Sequence, residues 1–174
     1  MTLFTRPRLL GLILAALVCF ADQWLKWLIA VHWRLDDVGD QIVLTSFFNL
    51  TRTNNLGVSL GMLTADTAEM RWLLVALTGG IALVVLVWMF MEKLAADVLP
   101  LALVLGGALG NIIDRVRLGH VVDYADLHFG DWRPFLVFNL ADAAITLGVL
   151  FILARSFLSR EKRADHAAEP ATEN

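Results

Sequence analysis

Near the end of the chain the sequence FNLADAAIT (Phe138 to Thr146) runs into LGVLFILA, which is apolar enough to sit in lipid. Asp142 therefore stands at or inside the start of a membrane span, where a carboxylate is costly and usually functional. Three chemistries fit it: a helix cap, an ion relay, or half of a catalytic carboxylate pair. The N-x-x-D spacing lets Asn139 be the N-cap, with Asp142 at the third helical position near the positive end of the helix dipole. Similar groups recur elsewhere. Asp22 and Lys26 are i, i+4 in an apolar segment and can neutralise each other on one helix face. Asp114–Arg115 closes another apolar run and, taken alone, reads as an interfacial ion pair. Asp123 lies between Val121-Val122 and Tyr124, neighbours that hold it against a bilayer.

The elements that must carry these groups are membrane helices. Of 174 residues, 58% are hydrophobic, and mean hydropathy is +0.67. A soluble domain is about 45–50% apolar. Crossing a ~30 Å hydrocarbon core takes about 20 helical residues. Four stretches qualify, roughly Leu9–Val31, Trp72–Met91, Val98–Ile113 and Val137–Phe157. The second is free of charge. The first holds Asp22 and Lys26, the third ends on Asp114–Arg115, and the fourth contains Asp142. Arg6 and Arg8 before Leu9–Ala21 imitate a signal peptide. No small-x-small cleavage site follows and the apolar pattern continues through Trp27–Trp33, so an uncleaved span is expected. Leu17-Val18-Cys19 lacks the small residue of a lipidation box at Val18.

Basic residues set the expected orientation. Arg6, Arg8, Lys93, Arg155, Arg160, Lys162 and Arg163 place both termini and the short second connection in the cytoplasm. The connections 32–71 and 114–136 then face outward. Helix 3 runs outward and helix 4 inward, so Asp114, Arg115, Asn139 and Asp142 share the outer level. Asp22, about 20 Å past Leu9 at 1.5 Å per residue, lies in the outer half of helix 1. Asn54, Asn55, Asp123 and Asp126 belong to the outer connections, so carboxylates, amides and an arginine can converge there. Gln41–Leu44 and Phe47–Arg52 are rich in Ile, Val, Phe and Thr, which predicts a small ribbon lying on the outer membrane surface. Gly79-Gly80, Gly106-Gly107 and Gly110 are expected to let helices pack closely. Residues 1–163 read as one integral membrane domain, and residues 164–174 as a disordered cytoplasmic tail.

Other chemistries fit poorly. A net charge of −3 argues against a nucleic-acid partner. The lone Cys19 forms no intrachain disulfide, and the spacing supplies no metal framework. Gly57-Val58-Ser59-Leu60-Gly61 matches the serine-hydrolase elbow G-x-S-x-G. That motif needs a strand, turn and helix in an α/β sheet, for which the chain has no room, and His120 and His128 do not supply that context. No H-E-x-x-H, P-loop or dinucleotide fingerprint is present, and the Asn49-Leu50-Thr51 triplet carries little information.

Taken in order, the motifs resemble the lipoprotein signal peptidase family, the bacterial signal peptidase II. They are D-Q-x-x-K (Asp22 to Lys26), N-x-G (Asn55-Leu56-Gly57), GGALGNIIDRVRLGHVVDY (Gly106 to Tyr124) and FNLADAAIT. The resemblance covers nearly the whole chain. One departure is Val58-Ser59-Leu60, where the family commonly has Ala-Ala-Phe after N-x-G. The resemblance implies a mainly α membrane protein, a four-transmembrane-helix bundle with a small β-cradle on the outer, periplasmic face, in the bacterial inner membrane. It implies an aspartic endopeptidase that cuts diacylglyceryl-modified prolipoproteins just before the lipidated cysteine, without a metal or other cofactor. Asp123 and Asp142 map to its catalytic dyad. Asn55, Gly57, Arg115 and Asn139 map to site-lining positions, and Asp22, Lys26, Gly107, Asn111 and Asp114 to structural support. Membrane lipid and globomycin-type cyclic peptides are the implied partners. Three other classes compete on the residues alone: a proton-coupled small transporter using Asp22, Asp114 and Asp142 as a relay, a non-enzymatic lipid-binding or assembly protein, and an aspartate-rich metal site for head-group transfer.

Overall fold

A computed structural model describes residues 5–57 and 67–168, with side chains described through residue 158. Its helices are α1 (Arg6–Trp27), α2 (Ala68–Met91), α3 (Ala95–Leu118) and α4 (Leu140–Ala168). A π-helical turn, Leu28–His32, extends α1. All four helices are long and apolar enough to cross a membrane, and the chain is a multi-pass membrane protein. Three strands, β1 (Gln41–Val43), β2 (Phe48–Asn55) and β3 (Val121–Leu127), form one antiparallel sheet in the order β1-β2-β3.

Central in the bundle, α3 packs against α1, α2 and α4. Val98, Leu101, Ala102 and Leu105 on α3 meet Ala15 of α1 and Ala82 and Met89 of α2 in the main core. The outward faces carry exposed Leu17, Phe20, Ile81, Val84, Leu150 and Phe151, the surface expected of helices bathed in acyl chains. Lipid offers helices no hydrophobic drive to associate, so close backbone approach supplies much of the attraction. Three glycines of α3 make that approach possible, among them Gly106, where a Cβ would lie 2.6 Å from the Ala15 carbonyl oxygen of α1. A Cβ on Gly110 would lie 2.6 Å from Oδ2 of Asp22, and one on Gly107 would collide with the carbonyl of Ala141. Gly79 and Gly80 do not share this role. Nothing lies within 4 Å of a Cβ built on either, because α2 turns that side away from its neighbours.

The helix limits differ from the sequence expectation at charged or capped ends. α3 does not stop before Asp114–Arg115 but continues to Leu118, since partners from other elements take up both charges. α2 begins four residues before Trp72, where the Thr67 side chain accepts from the N–H of Met70. α4 begins at Leu140, after its Asn139 cap, rather than at Val137. Its helix runs to Ala168, into the stretch read as a disordered tail, and residues 169–174 lie outside the described residues. So do Val58-Ser59-Leu60, which hold the serine of the elbow match.

The expected ribbon is present as β1 and β2, with Gln41 opposite Thr51. Its third strand, β3, was not anticipated, and it converts the supposed loop around Asp123 into a strand buried along six of its seven residues. A bulge lies between Leu50 and Thr53. Leu50 pairs with Ala125 and Thr53 with Asp123, so Thr51 and Arg52 together oppose Tyr124. Phe138 covers the free edge of β3: the N–H of Ala125 donates to its carbonyl at 2.7 Å, and its own N–H donates to the Ala125 carbonyl at 3.1 Å. The edge that would otherwise expose unpaired backbone thus fixes the entrance to α4.

Candidate active site

Asn139 and Asp142 close both halves of a capping box. The N–H of Asp142 donates to Oδ1 of Asn139 at 2.9 Å, and the N–H of Asn139 donates to Oδ2 of Asp142 at 3.2 Å. The sequence spacing required no more than this. The structure adds a second function for the same amide, because Asn139 Nδ2 donates to Oδ1 of Asp123 at 2.6 Å. Asn139, 1% exposed, therefore touches both carboxylates of the expected dyad. The cap reading and the paired-carboxylate reading of Asp142 are compatible.

Asp123 is 2% exposed. Its Oδ2 accepts from Asn55 Nδ2 at 3.0 Å, and Oδ1 of Asn55 accepts from the N–H of Gly57 at 3.1 Å. Burial, then the nearby charge of Asp142, pushes the Asp123 carboxyl up to about 7, against the amide hydrogen bonds that favour its anion. Asp142 receives Asn111 Nδ2 at 2.8 Å. Arg115 reaches across the same space and donates through Nη2 to the Gly57 carbonyl at 2.8 Å. Asn55, Gly57, Asn111, Arg115 and Asp142 border a cleft of about 210 Å³ whose remaining wall is Thr78, Ile81, Val104, Ala108, Val121 and Ile145. One side of the cleft is polar and carries a carboxylate. The other is mainly apolar and built from α2, α3, α4 and the first residue of β3.

Behind the cleft lies a buried ionic cluster. Lys26 Nζ stands 2.7 Å from Oδ2 of Asp22 and 2.7 Å from Oδ2 of Asp114, and donates to Oδ1 of Asn111 at 3.2 Å. The i, i+4 pair expected of Asp22 and Lys26 is present, but Lys26 is shared. Asp114 does not pair with Arg115 as an interfacial ion pair. It accepts from Lys26, from Gln23 Nε2 at 2.7 Å and from the N–H of Val122 at 3.1 Å. Asp22 also accepts the N–H of Ala141 at 3.0 Å. These last two bonds have a consequence for placement. Asp114 holds the peptide N–H just before Asp123, and Asp22 holds the one just before Asp142. A cluster that is costly to bury thus anchors the backbone beside each carboxylate.

Of the residues expected at the site, Asp142, Asn55, Gly57, Arg115 and Asn111 line the cleft, Asp123 and Asn139 are hydrogen-bonded to that lining through Asn55 and Asn111, and Asp22, Lys26, Gly107 and Asp114 lie behind it. Asn54 and Asp126 are engaged elsewhere. Asn54 accepts from Arg52, and Asp126 accepts from Arg133 and Thr51. Sequence reasoning overlooked Gln23, which also donates to the Gly110 carbonyl at 3.1 Å; its place inside D-Q-x-x-K was the available signal. It also overlooked Arg71, whose Nε donates to the Arg115 carbonyl at 2.7 Å and whose Nη2 donates to the Val116 carbonyl, closing the last turn of α3. Nothing in the sequence around Arg71 marks it.

A family model described as signal peptidase (SPase) II matches residues 14–158. A lipoprotein signal peptidase from Sphingopyxis alaskensis is 53% identical over 163 residues, covering 94% of each chain. Another from Rhizorhabdus wittichii is 51% identical over 156 residues, covering 90% of each. A solved bacterial membrane enzyme, determined by the in meso method at 2.3 Å, superposes with a TM-score of 0.73 at 28% identity, over 94% of this chain and 93% of its own.

Proposed function

The chain belongs to the signal peptidase II family, and we propose that it removes signal peptides from diacylglyceryl-modified prolipoproteins by a two-aspartate mechanism, cutting just before the lipidated cysteine. Its relatives are named lipoprotein signal peptidases, which supports a peptidase acting on prolipoproteins. The observation that carries the aspartic mechanism is that Asn139 donates to both carboxylates, through its side-chain amide to Asp123 and through its backbone N–H to Asp142. Asp123 on β3 and Asp142 on α4 come from different elements, and Asn139 touches both.

Two neighbouring carboxylates do not ionise together readily and hold one proton between them. Asp123, raised to about 7 by burial and by Asp142, carries that proton. Asp142, at the positive end of α4, acts as the base. It takes a proton from a water molecule as the water oxygen attacks the scissile carbonyl carbon. Asp123 gives its proton to the developing oxyanion. Collapse of the tetrahedral diol breaks the C–N bond as one of its hydroxyls returns a proton to Asp123, and the proton held on Asp142 goes to the departing amine, which restores both carboxylates. Asn55 and Arg115 border the reacting space and supply N–H donors for the substrate backbone.

The apolar wall of the cleft suits a substrate whose acyl chains stay in lipid while its peptide bond meets the carboxylates. On this reading the protein lies in the inner membrane with both termini cytoplasmic and the cleft at the outer face. A globomycin-type cyclic peptide then competes for the cleft. The direct test is incubation with a diacylglyceryl prolipoprotein and with its unlipidated precursor. Cleavage of the former alone is the expected result. Equal cleavage of both overturns the substrate assignment, and failure to cleave either removes the peptidase reading.

A further inference from the structure

The first turn of a helix leaves N–H groups that the helix itself cannot satisfy. In α4 the leading three are each taken by a side chain from a different part of the chain. The N–H of Leu140 donates to the Tyr124 hydroxyl at 3.1 Å, that of Ala141 to Asp22, and that of Asp142 to Asn139. Asn139 is the local cap and Asp22 belongs to the buried ionic cluster. Tyr124 is different. It is the only tyrosine in the chain, it is 7% exposed, and it follows Asp123 directly on β3. Its hydroxyl therefore ties the strand that bears one carboxylate to the helix turn that bears the other. The β-bulge opposite Tyr124, where Thr51 and Arg52 share its place in the register, increases the local twist of the strand.

We propose that Tyr124 is a positioning residue of the peptidase, whose hydroxyl fixes the first turn of α4 against β3 and so sets the spacing and relative orientation of Asp123 and Asp142. The inference rests on the two-aspartate reading. Burial raises the phenol well above its ordinary pKa, so it stays neutral throughout the working range and acts by hydrogen bonding alone. Removing the hydroxyl leaves the part-buried N–H of Leu140 without its acceptor. The turn then loosens and Asp142 leaves its place beside Asp123.

Two substitutions break the same bond from opposite sides. Tyr124→Phe removes the acceptor. Leu140→Pro removes the donor at the first helical position, where proline is tolerated. Tyr124→Phe is expected to lower kcat roughly tenfold, the usual scale for orphaning one part-buried donor, while leaving KM for a lipidated precursor unchanged. The high-pH limb of the kcat profile should move to lower pH, because Asp123 feels less of the Asp142 charge. The other charged groups acting around this pair, Lys26 from α1 and Arg115 from α3, are untouched, and Asn55 from β2 is neutral. Leu140→Pro should reproduce both changes, and adding Tyr124→Phe to it should have little further effect. A Tyr124→Phe enzyme with wild-type kcat and an unmoved limb overturns the inference. If it fails to fold, Leu140→Pro decides alone: a wild-type profile there overturns the proposal, and the shifted limb sustains it. Asp142→Asn assayed beside them separates the two claims. If that variant is active, the two-aspartate reading fails. If it is inactive while both bond-breaking variants behave as wild type, only the role of Tyr124 fails.

Discussion

The two ends of the helix bundle handle charge in opposite ways. At the end away from the cleft, Arg155 on α4 forks onto Asp97 on α3, with the two side chains 40% and 25% exposed. Near it, Trp88 Nε1 donates to Glu92 on an exposed surface. Such pairs are solvated and worth little. At the cleft end Lys26 is 6% exposed, its partners Asp22 and Asp114 no more than 4%, and Asp123 is buried beside them. Charge taken so far from water seldom stabilises a fold on balance. What it supplies here is placement, since the same carboxylates grip the peptide N–H groups next to Asp123 and Asp142. Burial of charge, rather than its number, separates the cleft end from the other.

That contrast can be broken in stages. Asp123→Asn or Asp142→Asn is expected to lower kcat by about a thousandfold or more without loss of membrane insertion, as read from cleavage of a lipidated precursor and from extraction behaviour. Full activity in either variant ends the dyad assignment. Lys26→Met strands two buried carboxylates and is expected to destabilise by about 3–5 kcal/mol, measured as thermal unfolding in micelles. An unaltered melting temperature makes the ionic cluster dispensable.

The pH response should follow Asp123. Its carboxyl is raised from 3.8 to about 7, so the folded protein holds a proton that the unfolded chain has lost. Activity that needs that proton falls as pH rises through 7. Stability from this group is greatest below pH 4 and declines as pH climbs toward 7, where charging it next to Asp142 becomes unavoidable. A kcat profile flat from pH 6 to 9 contradicts this. At the far end, Arg155→Ala should change stability by no more than about 1 kcal/mol and leave cleavage intact. A large loss there erases the distinction between the ends.

Much of this was readable in advance where a residue's own neighbours determine its state. Runs such as LLVALTGGIALVVLVWMFM give spans by composition alone, and N-x-x-D gives the cap of α4 by spacing. Contacts between distant segments were harder to read. β3 pairs with β2 across about 70 residues, from Thr53 to Asp123, so VVDYADL looked like a loop with an aspartate in it. Asp114 and Arg115 looked like partners because they are adjacent, yet each turns to a residue far along the chain, Lys26 for one and Gly57 for the other. α3 was cut short for the same reason, since a charge appears to end a span until its partner is known. The Gly79-Gly80 pair has the same composition as Gly106-Gly107, and only the position of neighbouring helices distinguishes the open pair from the packed one.

The bond from the N–H of Ala141 to Asp22 joins residues 119 positions apart, and it sets an order of events during synthesis. Asp22 enters the membrane with the first span, long before the ribosome reaches Ala141. Asp123 follows, with its strand partner already made, yet Asp142 joins it only when the last helix arrives. On the proposed two-aspartate reading, a chain still being translated therefore holds one carboxylate of the pair without the other. On that reading, a growing chain cannot cut neighbouring substrates while its own last helix is still missing.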